Sequence, residues 1–208
     1  MITRIYPDNP NARDVRRVAD ALASGAIVVL PTDTIYAIAC SMQFKKSVED
    51  IARLKGFTVK QAKYSLLCSS LSMASEYMRP LGKQDYQLLR STLPGPYTYI
   101  VDANNNVPRN YQNANKTIGI RVPQNPVCQA IIEAVGCPLV STSVRILGND
   151  ADSEPEYLTD PELIHESFSN RVQIVVDAGL GDNQPSTVVD CSGGLRTLIR
   201  QGKGPINI

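Results

Sequence analysis

Several features that mark common protein classes are scarce in this chain of 208 residues. It has no tryptophan, three phenylalanines and a single histidine, His165. One imidazole gives little support to serine–histidine or cysteine–histidine catalysis, and the acidic neighbours of His165 favour a helix surface and a non-catalytic role. No apolar run approaches the length of about 18 residues that predicts a membrane span. The first residues also lack the apolar core of a secretory signal.

The cysteines and the common catalytic motifs exclude further classes. The five cysteines are scattered, odd in number and never spaced as Cys-x-x-Cys. They predict buried free thiols in a reducing cytoplasm, with neither disulfides nor a protein-held metal ion. The chain lacks GxxxxGK[ST], GxGxxG, HExxH and GxSxG, so it is not an ordinary P-loop NTPase. A formal net charge of +1 gives no general attraction to nucleic acid, although a local basic patch is compatible with it.

What the chain does have is an irregular alternation of helical and strand patterns, with no repeat and no linker-like change in composition. Asn11 and Gly25 delimit an amphipathic helix, and Asn125-Pro126 starts another that Gly136 ends. Further helices are predicted at Lys45–Leu54, Leu71–Met78, Gln84–Leu93 and Pro161–Phe168. Strands are predicted at Ala26–Leu30, Ile35–Cys40, Leu66–Cys68, Tyr97–Val101, Thr117–Val122, Leu139–Ser143, Val172–Asp177, Ser186–Asp190 and Leu195–Arg200. The asparagine-rich segment Ala103–Asn115 is predicted to be an exposed loop. This order favours one α/β domain over residues 1–208, with a twisted mixed sheet.

The most informative segment follows the first apolar strand. Ala26–Leu30 has the continuous apolar character of a strand buried on both faces. It ends at Pro31 and leads into a cluster of hydroxyls that surrounds Asp33: Thr32, Thr34 and Tyr36. The cluster is typical of the rim of a ligand pocket, although a polar turn between two strands explains this segment equally well.

Hydroxyls and cations recur at other predicted strand ends. Thr117 and Arg121 share one face of a strand, as do Ser141 and Ser143. Cationic or hydroxyl side chains also occur at Lys55-Gly56, Ser186-Thr187 and Arg200. Hydroxyls donate to phosphate or carboxylate oxygens, and lysine or arginine neutralises them. The set predicts an anion site suited to nucleotidyl transfer, in which a protein mainly positions its substrates and offsets charge, usually with Mg²⁺.

These elements, in this order, resemble the YrdC-like superfamily. The matching segments are Pro31–Tyr36, Lys55-Gly56, Pro94–Thr98, Gly119–Pro123, Ser141–Ser143, Ser186–Asp190 and Ile199–Gly202, and the resemblance runs from about residue 12 to residue 203. It implies an α/β twisted open sheet, flanked by helices, with a large concave, positively charged cavity. The best-known members are threonylcarbamoyl-AMP synthases. They convert L-threonine, bicarbonate and ATP into threonylcarbamoyl-AMP and pyrophosphate for tRNA modification.

The resemblance also assigns roles to individual residues. It implies that Thr32, Thr34, Tyr36, Arg121, Ser141 and Thr187 bind threonine, with Arg121 at its carboxylate. It implies that Lys55, Thr117, Ser143, Ser186 and Arg200 bind the nucleotide, with Lys55 at the phosphates. Mg²⁺ would accompany ATP, and no catalytic acid or base is identified.

Three positions depart from the synthase pattern and place the chain nearest to the YciO branch. Phe57 stands where synthases carry the arginine of Lys-Gly-Arg, Arg145 stands where they carry asparagine, and Ala37 replaces a glycine. Arg145 would either repel a magnesium ion or hold a phosphate itself. These departures leave a second function open, in which the protein binds double-stranded RNA or tRNA without robust synthase activity. The candidates for such a surface are Lys60, Lys63, Arg145 and Lys203.

Overall fold

A computed structural model describes residues 1–59, 62–113, 115–145 and 157–207. Within these ranges the chain forms ten strands and six α-helices. The strands are β1 (Ile2–Arg4), β2 (Val28–Leu30), β3 (Ala37–Ser41), β4 (Ser65–Leu67), β5 (Tyr97–Asp102), β6 (Thr117–Arg121), β7 (Leu139–Ser143), β8 (Ile174–Asp177), β9 (Thr187–Asp190) and β10 (Thr197–Arg200). The helices are α1 (Ala12–Ala23), α2 (Lys45–Leu54), α3 (Leu71–Ser75), α4 (Lys83–Thr92), α5 (Pro126–Val135) and α6 (Pro161–Phe168).

The described strands join in one mixed sheet of order β1-β8-β2-β3-β7-β4-β6-β5-β9-β10. Parallel pairs, such as β2 with β8 and β4 with β6, alternate irregularly with antiparallel pairs, such as β3 with β7. The predicted mixed α/β sheet is confirmed. None of the described helices is long and apolar enough to cross a lipid bilayer.

The hydrophobic core lies on both faces of the sheet. Strand β2 alternates between the two clusters: Val29 packs on one side, and Val28 and Leu30 pack on the other. Helices α1 and α5 cover the second side, while α2, α4 and α6 contribute to the first. The continuous apolar run of β2 therefore corresponds to a strand buried on both faces, as predicted. All five cysteines are buried and unpaired, which confirms their predicted state.

Helix ends explain why several boundaries could be predicted closely. The Asn11 side chain accepts hydrogen bonds from the backbone of Arg13 and Asp14 at the start of α1. The Asn125 side chain accepts from the backbone N–H of Cys128 at the start of α5, which ends at Gly136 with a φ of 76°. Each end satisfies backbone groups that a helix leaves free.

Other expectations differ from the structure. Strand β1 was not predicted, because three residues of an edge strand are too few to show a period. The helix predicted at Leu71–Met78 is shorter and ends at Ser75. The predicted exposed loop is wrong for part of its length, since Ala103, Val107 and Tyr111 are buried. His165 lies on α6, as predicted, and is half-buried.

Candidate functional site

A cavity of about 680 Å³ is lined by residues along β5, β6, β7 and β9 and by residues of neighbouring segments. Its lining includes many serines and threonines: Ser65, Thr98, Thr117, Ser141, Thr142, Ser143 and Ser186. Three cations, Lys63, Arg121 and Arg200, also line it, together with one carboxylate, Asp190. Seven of the eleven residues assigned to threonine or nucleotide from the sequence therefore line one cavity.

The register of the sheet brings the hydroxyls together. Ser141 pairs with Ala39 on one side and with Ser65 on the other, and Ser143 pairs with Ala37. The Ser141 hydroxyl donates to the Ser65 carbonyl at 3.0 Å. Gly119, opposite Ser65 on β6, leaves room at this point, because a Cβ there would lie 2.5 Å from the Ser65 hydroxyl. Three neighbouring strands thus present a polar floor to the cavity.

Arg121 is the centre of the site. Its Nη2 lies 2.8 Å from Asp33 Oδ1, 2.9 Å from Thr32 Oγ1 and 2.5 Å from Thr34 Oγ1. The two charged side chains are only 8% and 10% exposed. Asp33 Oδ2 and Arg121 Nε are buried and lack hydrogen-bond partners among the described residues. The ion pair thus keeps one acceptor and one donor unused.

Asp33 is the residue of this site that the sequence assignment left without a role. A carboxylate among hydroxyls was visible in the sequence, and an arginine on a strand was visible separately. The sequence did not show that the two side chains pair, because 88 positions separate them.

A second pocket of about 580 Å³ adjoins the hydroxyl cluster and is lined by Thr32, Asp33, Thr34, Asp182 and Lys203, among others. The Lys203 ammonium donates to the Asp33 carbonyl at 2.8 Å and forms an ion pair with Asp182 at 2.7 Å. That hydrogen bond from Lys203 lowers the pKa of Asp182. Because Arg121 lines the larger cavity, its ion pair with Asp33 marks the boundary between the two pockets.

Two of the predicted threonine ligands use their hydroxyls elsewhere. The Tyr36 ring lines the cavity, but its hydroxyl donates to the Gly179 carbonyl at 2.7 Å, and burial raises its pKa to about 12. Thr187 is fully buried; its hydroxyl accepts from the Gly202 N–H and donates to the Gly204 carbonyl. Thr187 therefore fixes the C-terminal segment.

The last two strands form one wall of the cavity. The hydroxyls of Thr98 and Ser186 lie 2.8 Å apart, and Arg200 Nη2 donates to the Ser186 carbonyl at 2.7 Å. Arg200 lies in an exposed strand, yet partial loss of hydration at its guanidinium lowers its pKa, and the nearby charge of Arg121 lowers it further. Two cations are thus held near each other on the same side of the cavity.

The structure places Lys55 apart from the cavity lining. It follows α2, is 6% exposed, and its ammonium has no hydrogen-bond partner among the described residues. Burial lowers its pKa from 10.5 to about 7, and the charge of Arg145 contributes to the shift. Phe57 is exposed. Lys60 lies outside the described residues.

A family model named Sua5_yciO_yrdC and described as "Telomere recombination" matches residues 20–202. The chain belongs to this family. It is 32% identical to the protein YciO of Escherichia coli K12 over 203 residues, which is 97% of this chain and 95% of that protein. It is 26% identical to a threonylcarbamoyl-AMP synthase of Vibrio campbellii, over 91% of this chain and all of the relative.

Solved structures of the family have the same fold. The crystal structure of E. coli YciO superposes with a TM-score of 0.89 and covers 99% of this chain. The structure of Sua5 from P. abyssi in complex with L-threonine superposes with a TM-score of 0.87 at 21% identity; it covers 97% of this chain, which corresponds to 57% of Sua5. At 21% identity, the similarity to Sua5 shows the fold alone.

Proposed function

We propose that this protein activates L-threonine, or an amino acid of similar size, with ATP. The reaction is that of the synthase relatives: the amine and bicarbonate form a carbamate, and a carbamate oxygen attacks the α-phosphorus of ATP. The products are threonylcarbamoyl-AMP, pyrophosphate and water. The observation that carries the proposal is the cavity that gathers Arg121, Arg200 and a set of hydroxyls around one space.

Arg121 is suited to the amino-acid carboxylate. Its buried Nε lacks an acceptor, and Thr32 and Thr34 hold the guanidinium in place. A carboxylate that reaches this edge satisfies the unused donor and forms charge-assisted hydrogen bonds. Because Asp33 already offsets the charge of Arg121, the ligand must compete with or rearrange this ion pair, which favours a small ligand that also carries a cationic ammonium.

The wall that carries Arg200 is suited to phosphates. Arg200 and Lys63 supply positive charge, and Ser143, Ser186 and Thr117 supply hydroxyls in the same cavity. The lining holds a single carboxylate, Asp190, and the described residues contain no cluster of three His, Cys, Asp or Glu side chains. These residues fit a Mg²⁺ ion that is carried by the triphosphate better than one bound to the protein alone. Such an ion would offset charge on the departing pyrophosphate.

The test is pyrophosphate release from ATP in the presence of L-threonine and bicarbonate. We expect release to require all three substrates and to fall at least about tenfold in Arg121→Lys, which keeps the charge but loses the planar guanidinium. Arg90→Lys, on an exposed face of α4, is the matched control and should have no effect. If the wild-type protein releases no pyrophosphate although it binds ATP, the synthase proposal is wrong.

Binding of double-stranded RNA or tRNA stays a prediction. Lys203 is paired with Asp182, and Lys63 lines the cavity. A filter-binding titration at several salt concentrations tests it. An affinity that falls steeply with salt supports phosphate contacts, whereas no binding at low salt contradicts the prediction.

A further inference from the structure

A third pocket, of about 540 Å³, lies at the end of β3 and β7 that faces away from the larger cavity. Met42, directly after β3, and Cys137, two residues before β7, both line it. Ser143, at the other end of β7, lines the larger cavity instead. One residue, Tyr111, lines both spaces. We call this third space the Tyr77 pocket, after the half-buried aromatic side chain in its wall.

The hydroxyl of Tyr111 lacks a partner within the described part of the chain. The residue is 4% exposed, and no described residue forms a hydrogen bond with its hydroxyl. Burial raises the pKa of Tyr111, and the nearby Cys40 and Glu49 raise it further. Glu49 belongs to α2, whose first residue, Lys45, lines the Tyr77 pocket. Because a buried tyrosine hydroxyl normally has a hydrogen-bond partner, this one is available to a molecule in the pocket.

The lining of the Tyr77 pocket combines apolar surface with side-chain amides. The ring of Tyr77 and the thioether of Met42 supply apolar surface. The amides belong to Gln43, Asn106 and Asn110. Lys45 adds one positive charge, and the described lining residues include no carboxylate. A volume of about 540 Å³ is in the range of small-molecule sites, which also combine apolar walls with a few polar groups.

This combination indicates the class of ligand. Aromatic rings and thioethers pack on the flat face of a heterocycle. Amides and hydroxyls both donate and accept hydrogen bonds, as the edge of a nucleobase does. A single lysine matches one anionic group.

We propose that the Tyr77 pocket binds a nucleoside monophosphate, with its base against Tyr77 and its phosphate near Lys45. The Tyr111 hydroxyl then gains the partner that the described residues do not supply. This site is separate from the cavity of the proposed function, and the inference does not depend on that function.

The test uses the rate at which iodoacetamide alkylates Cys137 in the full chain, with the modified residue located by peptide mapping. Cys137 lines the pocket, whereas Cys40, Cys68 and Cys128 are fully buried. We expect AMP and adenosine each to slow this alkylation about tenfold at about ten times its Kd. Ribose 5-phosphate lacks the base and should leave the rate unchanged.

Variants then locate the site. Tyr77→Ala should raise the half-protecting concentration of AMP about tenfold, because a base–aromatic contact is lost; Tyr86→Ala, on an exposed position of α4, is the matched control. Lys45→Gln should raise it about threefold for AMP but not for adenosine, with the neighbouring exposed Lys46→Gln as control. Tyr111→Phe should also raise it about threefold, yet leave the urea midpoint unchanged, because the hydroxyl has no described partner to lose.

Four outcomes would overturn the inference. The pocket is closed if Cys137 of the native protein is alkylated only as fast as the protein unfolds. The pocket does not take a nucleoside monophosphate if neither AMP nor adenosine protects Cys137 at millimolar concentration. Equal protection by ribose 5-phosphate would indicate a site for an anion alone. Protection by AMP that is unchanged in both Tyr77→Ala and Lys45→Gln would show that AMP acts from the larger cavity. A failure of pyrophosphate release refutes the proposed function and leaves these measurements unaffected.

Discussion

Replacement of Lys55 by methionine should make the protein more stable, by an amount that depends on pH. Burial lowers the pKa of Lys55 to about 7, whereas the unfolded chain has the ordinary value of 10.5. This difference corresponds to roughly 5 kcal/mol of unfavourable free energy. Methionine fills a similar volume without a charge, so Lys55→Met removes most of that cost at pH 7.

The sign of the pH dependence follows from proton binding. Between pH 7 and 10.5 the unfolded chain keeps the Lys55 proton while the folded protein loses it, so this group makes the folded state more stable as pH rises. Below pH 7 the penalty is present in full. The advantage of Lys55→Met should therefore be about 3 to 5 kcal/mol near pH 7 and roughly 2 kcal/mol near pH 9.

Urea unfolding at pH 6, 7, 8 and 9 measures this difference directly. Lys46→Met, on an exposed position of the same helix, serves as the matched control and should change stability by less than about 0.5 kcal/mol. An advantage that stays constant with pH would refute the assigned pKa. A variant less stable than the wild type would refute the reasoning that the buried ammonium lacks a partner.

Three further predictions concern other parts of the structure. Asp33→Asn leaves the Arg121 guanidinium buried without its carboxylate, so we expect the free energy of unfolding, measured in urea, to fall by about 3 kcal/mol. An unchanged free energy of unfolding would mean that the pair is solvated. Gly202→Ala places a Cβ 2.2 Å from the Pro185 carbonyl, so the melting temperature should fall by several degrees; an unchanged value would mean that the C-terminal segment shifts freely. Burial raises the pKa of the Cys128 thiol to about 12, so this thiol should react with Ellman's reagent only as fast as the protein opens. Rapid labelling of Cys128 in the native protein, located by peptide mapping, would contradict its burial.

Local signals account for the parts of the fold that were predicted well. The predicted bounds of α2, α6 and β7 agree with the structure, and α5 lies within its predicted limits. Capping asparagine or aspartate, proline in the first turn and glycine after the end act within a few residues, so they can be read from the sequence. The alternating hydroxyls of β7 also showed which side chains share a face.

Long-range packing accounts for what was not predicted. The segment from Ala103 to Asn115 is rich in polar residues, yet Tyr111 is buried there and packs edge-to-face against Tyr64 at 6.4 Å. The burial of Lys55 is equally invisible in a sequence, because a lysine at a helix end is normally exposed. The pairing of Asp33 with Arg121 depends on the turn after β2 and on β6, which are distant along the chain.

The bond from Lys203 to the Asp33 carbonyl has a consequence for biosynthesis. It joins positions 170 residues apart, and Gly202 and Gly204 are fixed in the same region by Thr187. Contacts of such separation form late and slow the folding of a domain. During translation, the strands that carry the hydroxyl floor emerge before β9, β10 and Lys203, which complete the wall of the cavity. A nascent chain without this segment therefore has an incomplete cavity wall, and we expect ligand binding to require the segment.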